Sequence, residues 1–249
     1  MHFASTLPAG TPELMRVSAF QRQAETSREA RAPDTISSRA SLLGPSLMQD
    51  LMRFDKLGCP SEPLEVLAAC VRHGRSLLLH LQIGERVLPL TVLPKDGLVH
   101  SPVPMAQVLE WPLSDLRVLN VEPSALKAPG GGRGDSSMAQ EFSALSPLMW
   151  ELALRGSRAG LLPEISGHAA YRIVPGVDLE ALPLTGTMAQ AVQRLQRHTC
   201  GLREIAAWPG FDRERAARML NGLYLQAGLM VTRSHPAASG EGRGASDLN

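Results

Sequence analysis

Between Leu77 and Val92 the parity of the apolar positions changes, and that change restricts the fold more than any other feature of the chain. From Leu77 to Ile83 the odd positions are apolar (Leu77, Leu79, Leu81, Ile83), whereas from Leu88 to Val92 the even ones are (Leu88, Leu90, Val92). Side chains alternate across a strand, so one buried face survives the switch only if a hairpin closes at Gly84 and Glu85. That register pairs Leu81 with Leu88, Leu79 with Leu90 and Leu77 with Val92. Pro89 has no N–H to give to a ladder, which predicts a second strand at an edge or with that side toward solvent. His80 is expected opposite Pro89, facing outward.

Around the hairpin the signals are local. Ser61 and Pro63 read as a cap and a first-turn proline, followed by a helix with Leu64, Leu67, Ala68 and Val71 on one face. Pro94-Lys95-Asp96-Gly97 reads as a turn, Leu98 to His100 and Leu116 to Val121 as short strands. Residues 46–126 are therefore expected to form a small α+β domain rich in strands. Residues 1–45 mix Ser, Thr, Ala, Arg, Glu and Pro without sustained periodicity, a composition that predicts a disordered arm in which Leu14, Val17 and Phe20 support at most a transient helix.

The run Ala-Pro-Gly-Gly-Gly-Arg-Gly-Asp-Ser-Ser inside residues 127–142 carries a high ordering cost and little to pack, so it reads as a linker. Beyond it, residues 143–233 read as a helical domain. Ser146-Pro147 opens a helix through Leu148, Trp150, Leu152 and Leu154, and Ala169 to Val174 suits a short strand. Three helices follow. Thr187 and Gln190 have capping-box spacing ahead of the stripe Met188, Ala191, Val192 and Leu195. Leu202 to Ala207 is short and stops at Trp208-Pro209-Gly210, and Asp212 caps a third helix with Ala216, Met219, Leu220, Leu223, Tyr224 and Ala227 on a broad face. Leu229 to Thr232 is strand-like, and residues 234–249 read as a disordered tail.

The stretch from Leu202 to Phe211, the long helix after it and Gly228-Leu229-Met230-Val231 resemble the winged-helix pattern of bacterial regulators. The resemblance implies that Asp212 to Ala227 is the recognition helix and that Leu229 to Arg233 enters the wing. The order helix, glycine, apolar hairpin, Lys-Asp-Gly turn and Leu98-Val99-His100 is similar to the N-terminal regulatory domain of PatA-type bacterial response regulators, which implies regulatory protein contact.

Between residues 194 and 233 seven arginines (Arg194, Arg197, Arg203, Arg213, Arg215, Arg218 and Arg233) are set against only Glu204, Asp212 and Glu214. Arg203, Arg213, Arg215, Arg218 and Arg233 are candidate contacts to DNA phosphates and guanines, with Arg215, Arg218, Gly222 and Gln226 along one polar stripe of the third helix. Leu225 projects near that stripe, away from the main apolar face. A helix apolar on two sides touches a second element, which makes Leu225, with Arg218 and Gln226, a candidate protein-binding surface.

Catalytic signals are poor. The chain holds no Gly-x-Ser-x-Gly elbow, no Walker-type Gly-Lys-Ser/Thr loop and no His-Glu-x-x-His helix. His198-Thr199-Cys200 brings imidazole and thiol together in sequence, but zinc needs two further ligands at suitable spacing. No cofactor or metal is expected. The richest apolar run, Leu77 to Leu93, is broken by His80, Gln82, Glu85, Arg86 and Pro89, too often for a membrane helix. Three cysteines, Cys59, Cys70 and Cys200, suggest a reducing compartment, and no basic-then-apolar leader is evident, so the expected location is cytoplasmic. The reading is an α+β, non-enzymatic bacterial regulatory or adaptor protein that binds another protein, with a DNA-binding transcriptional regulator as the alternative.

Overall fold

A computed structural model describes residues 14–29, 46, 62–129, 142–180 and 182–241. Strands β1 (Leu77–Ile83) and β2 (Arg86–Leu93) form the hairpin in the register that parity requires: Leu81 opposite Leu88, Leu79 opposite Leu90 and Leu77 opposite Val92. Gly84 supplies the positive φ, 54°, at the first turn position. All six of those side chains are buried. They form one face of a five-stranded antiparallel sheet ordered β4-β1-β2-β3-β5, where β3 is Leu98–His100, β4 is Arg117–Pro123 and β5 is Phe142–Ala144.

Pro89 stands opposite His80, but β2 is not an edge strand. Strand β3 pairs with β2 only from Thr91 to Leu93, and on the same side the Val87 N–H donates to the Met15 carbonyl. Backbone groups two residues apart point the same way, so Pro89 faces the gap between these contacts, where no donor is needed.

The expected arm is ordered over part of its length. Helix α1 (Val17–Glu29) follows a bridge between Arg16 and Arg86, with Leu14 buried and its carbonyl accepting from Arg86 Nη1 at 2.6 Å. Phe20 stacks on His80 with ring centroids 4.7 Å apart, so the outer side of His80 is covered. Sparse apolar residues cannot hold a helix alone; docking on the hairpin supplies what propensity lacks. Residues 1–13 and 30–45 lie outside the described residues.

Helix α2 (Pro63–His73) begins after Glu62 and ends at Gly74, whose φ of 57° suits a left-handed cap. Ser61, the expected cap, lies outside the described residues, and Glu62 makes no side-chain cap bond. Helix α3 (Met105–Glu110) and a single 3₁₀ turn (Leu113–Asp115) come between β3 and β4, too short to show periodicity in the sequence.

The chain divides into two compact units, Met1–Leu145 and Ser146–Asn249. Phe142–Ala144 pairs with β3, so these residues belong to the first sheet and the boundary falls slightly later than expected. Of the glycine-rich run, Gly130 to Ser137 lies outside the described residues.

In the second unit the elements are α4 (Leu145–Arg155), β6 (Ala170–Ile173), α5 (Gly186–Arg197), β7 (Cys200–Gly201), α6 (Leu202–Ala206), α7 (Arg213–Leu225) and β8 (Leu229–Thr232). Together the two units give a mixed α+β chain with its strands concentrated toward the N-terminal part. Asp212 caps α7 by accepting the Arg215 backbone N–H at 2.7 Å. Met188, Ala191, Val192 and Leu195 are the buried stripe of α5. The capping box does not form: the N-cap is Thr185, and Thr187 sits inside the helix with its hydroxyl accepting from Arg215 Nη2.

A second, three-stranded antiparallel sheet is ordered β7-β6-β8. Strand β8 takes its partner, β6, from upstream of the helices. The expected tail is partly structured, because Pro236–Glu241 is a 3₁₀ segment with Ala238 buried. A Cβ on Gly201 would come within 2.5 Å of the Ala237 carbonyl, so this segment crosses β7 where only glycine fits.

Candidate functional site

Helix α7 decides which of the proposed surfaces is available. It runs antiparallel to α4, as three contacts show. Ser146 Oγ donates to Gln226 Oε1 at 2.7 Å while Gln226 Nε2 donates to the Ser146 carbonyl at 3.0 Å. A Cβ on Gly222 would lie 2.6 Å from the Trp150 ring, and Arg218 Nη1 donates to the Leu154 carbonyl at 3.0 Å. Each four-residue step along α4 meets a four-residue step back along α7, so positions 218, 222 and 226 share the face turned to α4.

The stripe read as a binding surface is therefore largely an internal one. Leu225 is 4% exposed and cannot serve as the expected exposed anchor. Gln226 is tied to Ser146. Arg218 gives Nη1 to the carbonyls of Leu154 and Gly156 and pairs with Glu214, leaving its side chain 17% exposed. Those carbonyls end α4, where no intrahelical N–H is left to bind them.

Two more of the DNA candidates are similarly occupied. Arg215 donates to the Gly210 carbonyl and the Thr187 hydroxyl, with its guanidinium 5.2 Å from the Phe211 ring. Arg233 donates to the carbonyls of Ser166 and Glu164. A guanidinium fork suits carbonyls of an irregular segment as well as it suits phosphate. Arg203 is exposed on α6 and Arg213 on the first turn of α7. The rest of α7 is mostly buried, from Ala216 and Ala217 through Met219 to Leu223. A helix that reads a groove needs a continuous exposed face at its N-terminal end, and α7 offers only residues 212 to 215.

Asn221, which the sequence did not single out, is fully buried between these features. Its Oδ1 accepts the Leu162 N–H at 2.8 Å and its Nδ2 donates to the Gly160 carbonyl at 2.9 Å. With Tyr171 Oη donating to the Ile165 carbonyl at 2.7 Å, it fixes the connection after α4. An amide satisfied at both ends is a structural tie.

The open polar surface lies on α5. Gln190, Gln193, Arg194, Arg197, His198, Thr199, Cys200 and Glu204 line a groove of about 560 Å³. Positions 190, 193, 194 and 197 fall on one helical face, opposite the buried stripe. Arg194 lies over the Trp208 ring, 4.6 Å from its centroid, with Glu204 Oε1 at 3.8 Å. Arg197 is exposed and has no ion pair or hydrogen bond among the described residues; the same holds for Arg203 at the groove's neighbour on α6. The sequence marks the arginines here, but not the glutamines and Thr199, which look like ordinary solvated positions until the groove is formed.

Cys200 donates its thiol to Glu204 Oε1 at 3.2 Å. Burial above all, then the hydrogen bond to Glu204 and that residue's charge, push the thiol up to about 12, with Arg194 opposing. The thiolate needed of a nucleophile is thus disfavoured. Burial also pushes the Cys70 thiol up to about 12. Among the described residues no group of three or more His, Cys, Asp or Glu is placed to hold a metal ion, and no helix is long and apolar enough to cross a membrane. No family model, curated protein or solved structure matches the chain.

Proposed function

We propose that the chain is a non-enzymatic regulatory or adaptor protein of bacterial type, working in the cytoplasm by binding another protein through its second unit. One observation carries this reading: α7 spends its side chains on its own fold while the polar face of α5 stays open. The succession α5, β7, α6, α7 and β8 supports a winged-helix-like module, an architecture that serves protein contact as readily as DNA. Duplex DNA binding by the second unit would have to draw on Arg203 of α6 and Arg213 of α7, because Arg215, Arg218 and Arg233 already hold backbone carbonyls.

The test is crosslinking with mass spectrometry in host cells, beside duplex binding by the purified full chain. The expected result is protein crosslinks to residues 186–215 and no duplex retention at low salt. Duplex retention with affinity falling steeply as salt rises, and with Arg203→Ala and Arg213→Ala reducing that slope, would replace the adaptor by the DNA-binding regulator.

A further inference from the structure

The groove on α5 has the chemistry of a receptor for carboxylates. Its cations are Arg194 and Arg197 and its one carboxylate is Glu204, while Arg203, on the adjoining helix, lines a neighbouring hollow. The Arg194 guanidinium carbon lies 4.6 Å from the Trp208 ring centroid, a cation–π contact that tethers the group at the groove without using its N–H donors. Glu204 Oε1 forms an ion pair with Arg194 at 3.8 Å, which offsets part of the arginine's charge but, beyond hydrogen-bond distance, leaves its N–H donors untaken by that carboxylate. Arg197 stands one helical turn from Gln193 and Arg194, so a planar anion entering the groove meets two forks of donors.

The remaining lining selects among anions. Gln190 and Gln193 each offer a donor and an acceptor, and Thr199 offers a hydroxyl, which suits the alternating N–H and C=O groups of an extended peptide. The phosphate backbone of a duplex presents only acceptors and its binding draws on many phosphates at once, whereas this groove has few cations and a carboxylate in its wall. We infer that the α5 groove binds an acidic segment of a partner protein, with Arg194 and Arg197 taking its carboxylates and Gln190, Gln193 and Thr199 its backbone. This inference rests on the adaptor reading and assigns that reading its ligand chemistry.

Fluorescence anisotropy on the full chain tests it with three labelled probes: a ten-residue peptide rich in Glu and Asp, the same peptide with Gln and Asn in their place, and a ten-base-pair duplex. The acidic peptide is expected to bind, weakening as salt rises, and the neutral peptide and the duplex are expected to bind at least tenfold more weakly. Arg197→Glu, at an exposed position outside the core, should cost the acidic peptide at least tenfold while circular dichroism stays unchanged. Gln193→Ala should cost less, through the loss of a backbone contact.

Equal binding of the acidic and neutral peptides, no binding of either, or indifference to Arg197→Glu would overturn the inference. Preference for the duplex, lost in Arg197→Glu, would overturn it in favour of nucleic acid. The crosslinking experiment separates the two levels. Protein crosslinks mapping away from α5 leave the adaptor standing and remove its groove, whereas crosslinks to nucleic acid alone remove both.

Discussion

Two polar side chains set into the packed parts of this molecule, Asn221 and His80, give measurable consequences. Asn221 binds both Gly160 and Leu162. Asn221→Ala leaves a buried N–H and a carbonyl unpaired, which costs about 1–3 kcal/mol for each group that water cannot reach. Asn221→Asp keeps an acceptor for Leu162 but places a charge in the core and loses the donor to Gly160, so it should be the more damaging of the two. Urea titration monitored by tryptophan fluorescence ranks them; a wild-type midpoint in either variant would show the tie to be dispensable. His80 is the second case. It is stacked on Phe20, paired with Pro89 and Asn120 on its two neighbouring strands and close to Glu122. Burial holds its imidazole below the ordinary 6.5, with the Glu122 charge opposing. The unfolded chain then takes up the proton more readily than the folded one. Stability from this group is complete above about 6.5 and falls as the pH drops through the lower folded value. The thermal midpoint of the first unit should decline between pH 7.5 and 5 more steeply in the wild type than in His80→Gln. Parallel declines would assign the slope to other groups.

At the element scale α4 and α7 meet through a close approach, and here Gly222 is the residue without a substitute. The ring of Trp150 occupies the space a Cβ would need, 2.6 Å away, and Trp150 is itself fully buried. Gly222→Ala must push that ring or separate the helices, a cost of about 1–3 kcal/mol despite the better helix propensity of alanine. Denaturant midpoints of Gly222→Ala alone and with Trp150→Leu give the check: the double variant should lose less than the sum of the singles, because a smaller partner makes room. Strict additivity would show that the two side chains do not meet. The same pairing explains what the sequence could and could not tell. Periodicity found the second face of α7, since Leu225 and Arg218 lie off the main stripe, but periodicity cannot say what covers a face. A mixed face of Arg218, Gly222 and Gln226 reads as solvent-facing when the carbonyls and the hydroxyl that satisfy it belong to a helix some seventy residues earlier. The hairpin was legible to the residue because its register depends only on parity and a two-residue turn. Helix α1 was not, because what holds it is a carbonyl, a histidine ring and a strand edge far along the chain. The α5 groove was half visible: its arginines stand out by charge, while the glutamines gain meaning only beside β7 and α6.

At the scale of the whole molecule, the two units have separate cores and separate stabilising devices. The first is built on the leucine face of the hairpin and its sheet, the second on Trp150, Leu195, Ile205, Leu220 and Leu223. Units of fewer than about 150 residues with their own cores unfold cooperatively, so calorimetry of the full chain should resolve two transitions. The substitutions argued above assign them. Asn221→Ala should lower only the transition of the second unit, by about 4–8 °C per kcal/mol lost in a domain of that size. Acidification to pH 5 should lower the first-unit transition through His80 and spare that part of the slope in His80→Gln. Arg197→Glu should move neither, because the side chain is exposed and makes no contact that the fold uses. That last result is also what lets the peptide-binding loss of the same variant be read as a change in the groove. A single merged transition, shifted as a whole by both Asn221→Ala and the pH change, would mean that the cores do not act separately. Any effect of a groove variant on binding would then have to be re-measured against the stability of the entire chain.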